Sequence, residues 1–298
     1  MRNLSDWTVR SAVGKAGECL KAAGIEGSRN EAEILMVHIL DWPRHKVFLE
    51  GTHVLSTEET TRYFEVVDRR AQFEPMAYIL GSQEFYGRDF SVTPATLIPR
   101  PDTETLIDVA LKRAQFPAKG GVLADLGTGT GCILLTLLSE LKARSTSGRF
   151  SGVGIDISEA ALKVAAGNAA ALGIADMADF IQGDWFAGVP VLEDGYDCIV
   201  SNPPYITTDE MTGLMPDVRD FEPTGALHGG PDGLAPYRIL TTQAATYLRP
   251  GGLLAVEIGF EQAKAVSAMF VQNHYQSVEV MKDLAGNDRV VSGFCPKN

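Results

Sequence analysis

Apolar residues follow two different spacings along the chain, one in the first 80 residues and another after about residue 120. In the first stretch they recur at steps of three and four, as in Val9, Val13, Ala16 and Leu20. This is the spacing of one buried helix face. In the second stretch they form short continuous runs, which are typical of buried strands in a parallel sheet. The pattern therefore predicts a helical region followed by an α/β region.

The helical region contains clear start and stop signals. Gly24 ends the first apolar repeat, and Pro75 prevents a later helix from continuing beyond about Gln72. Ser28-Arg-Asn-Glu31 and Ser56-Thr-Glu-Glu59 each have the composition of a capping box, in which a hydroxyl and a carboxylate satisfy free backbone amides. We therefore predict that a helix begins at each of these two segments.

The second region predicts a doubly wound, Rossmann-like sheet. Its strands are expected near residues 122–126, 152–157, 178–182, 196–201 and 253–258. A hairpin with strands near 277–282 and 288–294 is expected to close one edge, because Gly286-Asn287-Asp288 is a strong turn signal. Ligands bind such sheets at the carboxyl ends of their strands.

The two spacings also indicate the domain organisation. We predict a helical domain over residues 1–80, a hairpin linker over 81–100 and a doubly wound domain over 101–298. The hairpin is expected to turn at Gly87-Arg88-Asp89. Arg100 lies between two prolines, and two roles are open for it: lining an active site, or pairing with a carboxylate at the domain junction.

A glycine loop follows the first predicted strand. After Asp125, glycines occupy positions 127, 129 and 131, and an apolar helical segment begins at Ile133. Strand, glycine loop and helix together let the backbone approach a nucleotide-like ligand. A dinucleotide fingerprint needs its third glycine at the position of Cys132, and a phosphate-binding P-loop needs a lysine that is absent here. The loop alone is a weak signal, since a structural turn also uses glycine.

Two further residues strengthen the interpretation of this region. Asp156 lies at the carboxyl end of the next predicted strand, close to the spacing expected for a carboxylate that accepts ribose hydroxyls. Ser158 is predicted to cap the helix that follows, and Gly173 to end it. Trp185 follows another short strand, where it would either cover an adenine ring or pack in the core.

The most informative segment is Asn202-Pro203-Pro204-Tyr205, which follows the apolar run at 196–201. Proline fixes its own φ and disfavours the α region for the preceding residue, so we expect an extended Asn202 and a stiff chain after it. The side-chain carbonyl of Asn202 and the backbone carbonyl of Pro203 would then accept both hydrogens of one amino group, with Tyr205 packed against it. A tight turn explains Asn-Pro but not the whole tetrapeptide.

Composition and charge narrow the class of protein. Hydrophobic residues make up 45% and charged residues 21% of the chain, as in globular domains. The sequence contains neither a run of 18 apolar residues nor an apolar signal core, so we expect a cytoplasmic protein. Four scattered cysteines and five dispersed histidines predict reduced thiols and no metal site.

The net charge of −12 is distributed unevenly. Residues 1–100 carry 12 basic and 14 acidic side chains, whereas residues 101–298 carry 14 and 24. A duplex-binding protein normally presents a basic stripe to phosphates. The acidic second region therefore weighs against a nucleic-acid substrate, although local pairs such as Arg69-Arg70 leave that possibility open.

These motifs carry a family resemblance. The glycine loop at 125–131 resembles the first motif of the class I S-adenosylmethionine-dependent methyltransferases, and the tetrapeptide at 202–205 resembles those members that methylate amino groups. Segments at 93–104, 221–227 and 229–234 narrow the resemblance to the bacterial peptide chain release factor glutamine methyltransferases. The resemblance runs from about residue 30 to the C-terminus.

The resemblance implies a specific activity and site. It implies methyl transfer from S-adenosyl-L-methionine to the side-chain amide nitrogen of the glutamine in the Gly-Gly-Gln motif of release factors, with no nucleic-acid or membrane partner. The cofactor-binding residues it implies are Gly127, Thr128, Gly129, Thr130, Gly131, Asp156, Trp185 and Asn202. The residues it places against the substrate glutamine, our candidate catalytic residues, are Asn202, Pro203, Pro204 and Tyr205.

Two other functions remain open on the residues alone. An adenine or cytosine amino methyltransferase shares both motifs, but it would need a nucleic-acid-binding domain, which the sequence lacks. A non-catalytic cofactor-binding scaffold is disfavoured by the presence of Asn202 and Asp156. For the helical region, recognition of a protein partner and stabilisation of the catalytic domain are both open.

Overall fold

The structure is a computed structural model that describes residues 7–145 and 148–297. The described residues form two compact units. The first contains the residues up to Gly81 together with Met215–Phe221, and the second contains Ser82–Leu214 and the residues from Glu222 onward.

The first unit is built from helices that share one apolar core. They are α1 (Val9–Ala22), α2 (Ser28–Leu40), α3 (Arg44–Leu49), α4 (Thr57–Ala71) and α5 (Met76–Leu80). The residues predicted to form the buried face of α1, from Val9 to Leu20, are buried in this core. Thr8 caps α1: its hydroxyl oxygen accepts a hydrogen bond from the Ser11 amide, and the Ser11 hydroxyl oxygen accepts one from the Thr8 amide.

One of the two predicted capping boxes is confirmed. Ser56 accepts a hydrogen bond from the Glu59 amide, and the Glu59 carboxylate accepts one from the Ser56 amide, so α4 begins where predicted. The prediction for Ser28 is wrong. Gly27 takes a left-handed φ of 66° and forms the N-cap itself, which places Ser28 inside the first turn. A serine at that position no longer faces the free amides that a cap satisfies.

The second unit contains a seven-stranded sheet in the order β5-β4-β3-β6-β7-β9-β8. Its strands are β3 (Gly120–Leu126), β4 (Arg149–Asp156), β5 (Ala178–Gln182), β6 (Tyr196–Ser201), β7 (Leu248–Glu257), β8 (Gln276–Lys282) and β9 (Asp288–Phe294). Strands β3 to β7 are parallel, while β9 runs antiparallel to both of its neighbours. The predicted doubly wound fold is confirmed, although β7 starts at Leu248, earlier than expected.

Helices cover both faces of this sheet. They are α6 (Glu104–Arg113), α7 (Cys132–Arg144), α8 (Glu159–Ala171), α10 (Ala235–Tyr247) and α11 (Ala263–Gln272), while the short α9 (Pro216–Arg219) belongs to the first unit. Successive residues of β3 alternate between the faces: Leu123 packs in one core with Ile107 of α6, and Ala124 in another with Tyr237 of α10. Ser158 caps α8 as predicted. None of the helices in the described ranges is long and apolar enough to span a membrane.

A short hairpin precedes the sheet and belongs to the second unit. Its strands are β1 (Ser82–Phe85) and β2 (Arg88–Ser91), and its turn is Tyr86-Gly87, with φ values of 51° and 72°. Our prediction of a turn at Gly87-Arg88-Asp89 is therefore wrong in its position. A two-residue turn with positive φ at both positions matches the twist of the paired strands. Arg88 and Asp89 therefore belong to β2 and not to the turn.

The topology brings the two sequence motifs together. Strands β4 and β5 extend from β3 in one direction, and β6 and β7 extend in the other. The glycine loop follows β3 and the tetrapeptide follows β6, and Asp125 of β3 lies beside Val200 of β6. Both motifs therefore emerge at the point where strand order reverses, which is where open α/β sheets bind ligands.

Candidate active site

A cavity of about 670 Å³ opens at this edge of the second unit. Its size is that of a small-molecule site. The predicted site residues that line it are Gly127, Thr128, Gly129, Thr130, Asp156, Trp185, Asn202 and Pro204. Gly131, Pro203 and Tyr205 are not among the described residues that form its wall. We call the side formed by residues 127–130 and Asp156 the loop end, and the side formed by Asn202 and Pro204 the amide end.

The loop end depends on backbone conformations that favour glycine. Gly127, Gly129 and Gly131 have φ values of 76°, 55° and 77°. The amides of Gly127 and Thr128 both donate to the carbonyl of Ile155, at 2.8 and 2.9 Å, which ties the loop to β4. The chain therefore passes the cavity as a fixed turn.

Asp156 braces the same loop. Its Oδ2 accepts a hydrogen bond from the Gly129 amide and its Oδ1 accepts one from the Ser158 amide, both at 2.9 Å. Each carboxylate oxygen has a second lone pair for a ligand. Asp156 thus lies where a ribose-binding carboxylate is expected, and it also holds the loop and the start of α8.

A buried carboxylate lies behind the loop end. Asp125 is fully buried, and burial raises its pKa to about 7, helped by the negative charge of Asp156. The Thr128 hydroxyl donates to Asp125 Oδ2 at 2.7 Å, which works against that rise. The other oxygen, Oδ1, has no hydrogen-bond partner among the described residues.

The amide end contains the tetrapeptide. Asn202 donates from Nδ2 to Thr103 Oγ1 at 3.2 Å, while no described residue donates to its Oδ1. Pro203 is buried. Tyr205 packs against the sheet core, and burial raises its pKa to about 12. Asn202 Oδ1 is therefore a free acceptor of the tetrapeptide that belongs to a residue of the cavity wall.

Residues after the tetrapeptide support it from behind. The Ile206 amide donates to the Leu227 carbonyl, and the Gly229 amide donates to the Ile206 carbonyl, both at 2.9 Å. A Cβ at Gly229 would lie 2.7 Å from the Pro204 oxygen and 2.8 Å from the Tyr205 Cα. Only glycine allows this close approach, which explains one of the glycines in the 229–234 segment.

Arg100 belongs both to the cavity wall and to an ion pair within the second unit. It lines the cavity, and its guanidinium pairs with the buried carboxylate of Glu222. Glu222 also accepts a hydrogen bond from the Ile98 amide at 3.1 Å. The pair therefore fixes the segment that enters α6.

Glu257 and Thr103 also belong to the amide end, although neither was predicted from the sequence as a site residue. Glu257 ends β7 and is only 1% exposed, and burial raises its pKa to about 7. A hydrogen bond with the Thr103 side chain works against that rise. Glu257 ends an apolar run that was predicted as a strand, but only the pairing of β7 with β6 brings it near the residue that follows β6.

Fold and motifs define the class of this protein as a Rossmann-like methyltransferase. Residues 117–288 match the family described as a methyltransferase domain. The fold is similar to that of a methyltransferase from Pyrococcus furiosus, with a TM-score of 0.53 and 17% identity, over 77% of this chain and 98% of that one. At that identity the likeness concerns the fold alone.

Whole-chain relatives identify the family. Residues 11–81 match the PrmC N-terminal domain. The chain is 40% identical to the release factor glutamine methyltransferase of Agrobacterium fabrum, over 98% of this chain and 99% of that protein. It is 43% identical to the enzyme of the same name from Moorella thermoacetica, over 95% and 96%. The chain therefore belongs to the release factor glutamine methyltransferase family.

Proposed function

We propose that this protein transfers a methyl group from S-adenosylmethionine to the side-chain amide nitrogen of the glutamine in the Gly-Gly-Gln motif of peptide chain release factors. Family membership supports the substrate class. The observation that carries the proposal is Asn202, which faces the cavity with a free Oδ1 while its Nδ2 is held by Thr103. Such a substrate belongs to translation and implies a cytoplasmic enzyme.

The residues at the loop end fit this cofactor. Asp156 offers a carboxylate for ribose hydroxyls, and the side chains of Trp185 and Ile157 offer apolar cover for an adenine ring. The carboxylate of Asp156 gives this end a negative potential suited to a positively charged ligand, and Asp125 adds to that potential where it is ionised, above its raised pKa of about 7. The cofactor supplies an electrophilic methyl group on a sulfonium. We assign its binding to Gly127, Thr128, Gly129, Thr130, Gly131, Asp156, Trp185 and Asn202.

The amide end supplies orientation. The nitrogen of a glutamine amide is a poor nucleophile, because its lone pair is delocalised into the carbonyl. Asn202 Oδ1 would accept one of its hydrogens, and the carbonyl of Pro203, which lies between the two wall residues Asn202 and Pro204, would accept the other. No described residue donates to either oxygen. Positive charge grows on that nitrogen during transfer, so both acceptors bind the transition state better than the ground state. Alignment of this kind is worth roughly 7–11 kcal/mol in favourable cases.

The two proline rings and Tyr205 have supporting roles in the tetrapeptide. Pro203 and Pro204 fix the backbone that carries both acceptors. Tyr205 packs beneath them against the core, and its carbonyl accepts a hydrogen bond from Gln262 Nε2 at 3.1 Å. A rigid backbone holds the two acceptors at one spacing, which a planar amino group requires.

For the helical region, over residues 1–80, we propose recognition of the release factor. Helix α3 exposes Phe48 and Leu49, with 79% and 73% of their surface accessible. Exposed aromatic and aliphatic side chains on a capped helical unit are suited to a protein partner.

The test is a labelling assay with the full-length protein. We would incubate it with methyl-labelled S-adenosylmethionine and either purified release factor or total nucleic acid. We expect label on the release factor, and peptide mass spectrometry should place one methyl group on the glutamine of Gly-Gly-Gln. Label in nucleic acid, with none on release factor, would contradict the proposal and favour an amino methyltransferase of bases.

A further inference from the structure

Glu257 lies beside the residue that carries the proposed chemistry. In the sheet, Ser201 of β6 pairs with Val256 of β7. Asn202 and Glu257 are therefore the next residues along two adjacent parallel strands. Thr103, at the start of α6, accepts a hydrogen bond from Asn202 Nδ2 at 3.2 Å, and its side chain also interacts with the Glu257 carboxylate, which lowers the pKa of Glu257. Asn202 and Thr103 line the cavity, whereas Glu257 lies behind them and is buried.

The hydrogens in this chain can be assigned. A threonine hydroxyl has one hydrogen to donate, and a carboxylate can only accept. When Glu257 is ionised, the hydroxyl hydrogen of Thr103 must therefore point to it. The Thr103 oxygen then has only lone pairs to offer Asn202, so the NH2 group of Asn202 faces Thr103 at 3.2 Å and Oδ1 faces the other way.

The opposite amide orientation would be unproductive. It would place Asn202 Oδ1 against an oxygen that has no hydrogen to share. It would also present an NH2 group to the NH2 group of a substrate amide, and two donors cannot bond to each other. The orientation of Asn202 therefore depends on the group behind Thr103.

We infer that Glu257 is a positioning residue, which acts through Thr103 to hold the Asn202 amide with its Oδ1 toward the substrate nitrogen. The inference rests on the proposed function. It assigns a purpose to a buried carboxylate whose Oε2 has no hydrogen-bond partner among the described residues.

The same geometry predicts a dependence on pH. A protonated Glu257 can donate to Thr103, which frees the Thr103 hydrogen to bond to Asn202 Oδ1, and the amide can then turn over. Burial raises the pKa of Glu257 to about 7, so it is a carboxylate above that pH and protonated below it. Turnover is therefore expected to fall as the pH is lowered through about 7.

Other charged and titratable groups surround Glu257. The charges of Arg289 and Arg100 lower its pKa, and that of Asp102 raises it. Arg289 is itself bonded to Asp102 and Asp283, at 3.0 Å each, so it does not neutralise Glu257 alone. The other titratable groups among the described residues that interact with Glu257 are Tyr205, Tyr237 and Cys132. Burial raises the pKa of each of them, so all three are neutral near pH 7.

The experiment compares the full-length wild type with Glu257→Gln, Thr103→Val and Thr103→Ser. The matched control is Thr136→Val, which removes a buried hydroxyl on α7 that has no hydrogen-bond partner among the described residues. For each protein, kcat on release factor would be measured from about pH 6 to pH 9, a range that spans the pKa of Glu257. Calorimetry would give the Kd for S-adenosylmethionine.

We expect kcat to fall on the order of tenfold or more in Glu257→Gln and Thr103→Val, as when a group that orients a functional ligand is removed. The Kd for S-adenosylmethionine should change much less. Thr103→Ser should recover most of the turnover lost in Thr103→Val, because it keeps the hydroxyl. Glu257→Gln should also lose the fall in kcat below pH 7, and the double variant should be no worse than the poorer single one.

Two results would overturn the inference: a Glu257→Gln enzyme with wild-type kcat and pH profile, or equal losses of kcat and cofactor affinity in both variants, which would indicate a structural role. If Glu257→Gln does not fold, the Thr103→Val and Thr103→Ser pair decides, and equal turnover in those two would reject the inference. Failure of the proposed function looks different: the wild type would bind the cofactor and leave release factor unlabelled at every pH.

Discussion

The two ends of the cavity are backed by similar groups. At the loop end, the buried carboxylate of Asp125 lies behind Thr128, and at the amide end the buried carboxylate of Glu257 lies behind Thr103. One oxygen of each carboxylate has no hydrogen-bond partner among the described residues, and burial raises both pKa values to about 7. The two ends differ in what each threonine contacts on the side of the cavity.

At the loop end, Thr128 lines the cavity itself and lies in a turn of backbone that Asp156 holds. At the amide end, Thr103 accepts a hydrogen bond from a side chain, that of Asn202. At the loop end, Asp156 adds a second negative charge near Asp125. At the amide end, the positive charges of Arg289 and Arg100 offset the negative charge of Glu257. The loop end is therefore suited to hold a cationic ligand, and the amide end to orient a neutral one. Changes at the first should alter affinity, and changes at the second should alter turnover.

The largest effect is expected at the amide end. Asn202→Ala removes one of two preorganised acceptors, so kcat should fall on the order of a hundredfold or more. The Kd for S-adenosylmethionine should rise much less. Single-turnover kinetics with release factor and calorimetry with the cofactor would measure the two quantities. A near wild-type rate in Asn202→Ala would show that the tetrapeptide acts only as a rigid turn.

Asn202→Asp sharpens the same comparison. The substitution keeps an acceptor of the same shape, but it adds a negative charge and cannot donate to Thr103. That charge beside a sulfonium should tighten cofactor binding without aligning the substrate, because only interactions that strengthen in the transition state accelerate the reaction. Affinity and turnover should therefore change in opposite directions. Parallel losses of both would show that the two ends are not separable.

At the loop end, Asp156→Ala should raise the Kd for S-adenosylmethionine about tenfold or more, because a charge-assisted hydrogen bond is worth roughly 1.5–3 kcal/mol. The variant also loses the bonds to Gly129 and Ser158, so thermal unfolding would be measured beside calorimetry. At saturating cofactor, kcat should stay close to wild type. An unchanged Kd would remove Asp156 from the cofactor site.

The two buried carboxylates should share one effect on stability. Their folded pKa values, about 7, exceed the ordinary values of 3.8 and 4.5, so the unfolded state binds fewer protons in this range and stability falls as the pH rises toward 7. Asp125→Asn and Glu257→Gln should therefore raise the free energy of unfolding at pH 8, on the order of 1–3 kcal/mol. Urea titrations should show this gain shrinking as the pH falls below about 7 and vanishing near the ordinary pKa values of 3.8 and 4.5. A loss of stability at pH 8 in both variants would contradict these pKa values.

The smallest effect is expected in the first unit. Leu49→Ser, on the exposed face of α3, should raise the KM for intact release factor several-fold and leave methylation of a short Gly-Gly-Gln peptide unchanged. The matched control is Leu284→Ser, which alters a fully exposed leucine of the second unit. Equal behaviour of the two variants on intact release factor would favour a stabilising role for the helical unit.

Sequence periodicity predicted the sheet well, because buried parallel strands are short apolar runs with clear ends. The bounds of β5 and β6 agree with the prediction, and the glycine loop and Asn202 emerge at the same edge. Local details were less predictable. The start of α2 depends on the left-handed Gly27, and the hairpin turn depends on a tyrosine with positive φ, a conformation that tyrosine rarely adopts.

The group behind Asn202 was not predicted, for a different reason. Thr103 and Glu257 lie far apart in the sequence, and neither belongs to a motif that indicates hydrogen bonding to an asparagine. Only the register of β6 and β7 and the position of α6 bring them together. Contacts of this kind depend on tertiary structure, so no spacing of residues in the sequence predicts them.

The most direct test of the account is methylation of one release factor in two forms, with Gly-Gly-Gln and with Gly-Gly-Glu, by wild type and by Asn202→Ala. The account predicts one methyl group on the glutamine of the first form, none on the second, and a large loss of rate with Asn202→Ala at unchanged cofactor saturation. Equal methylation of both forms, or methylation at another residue, would contradict the claim that this site orients a glutamine amide.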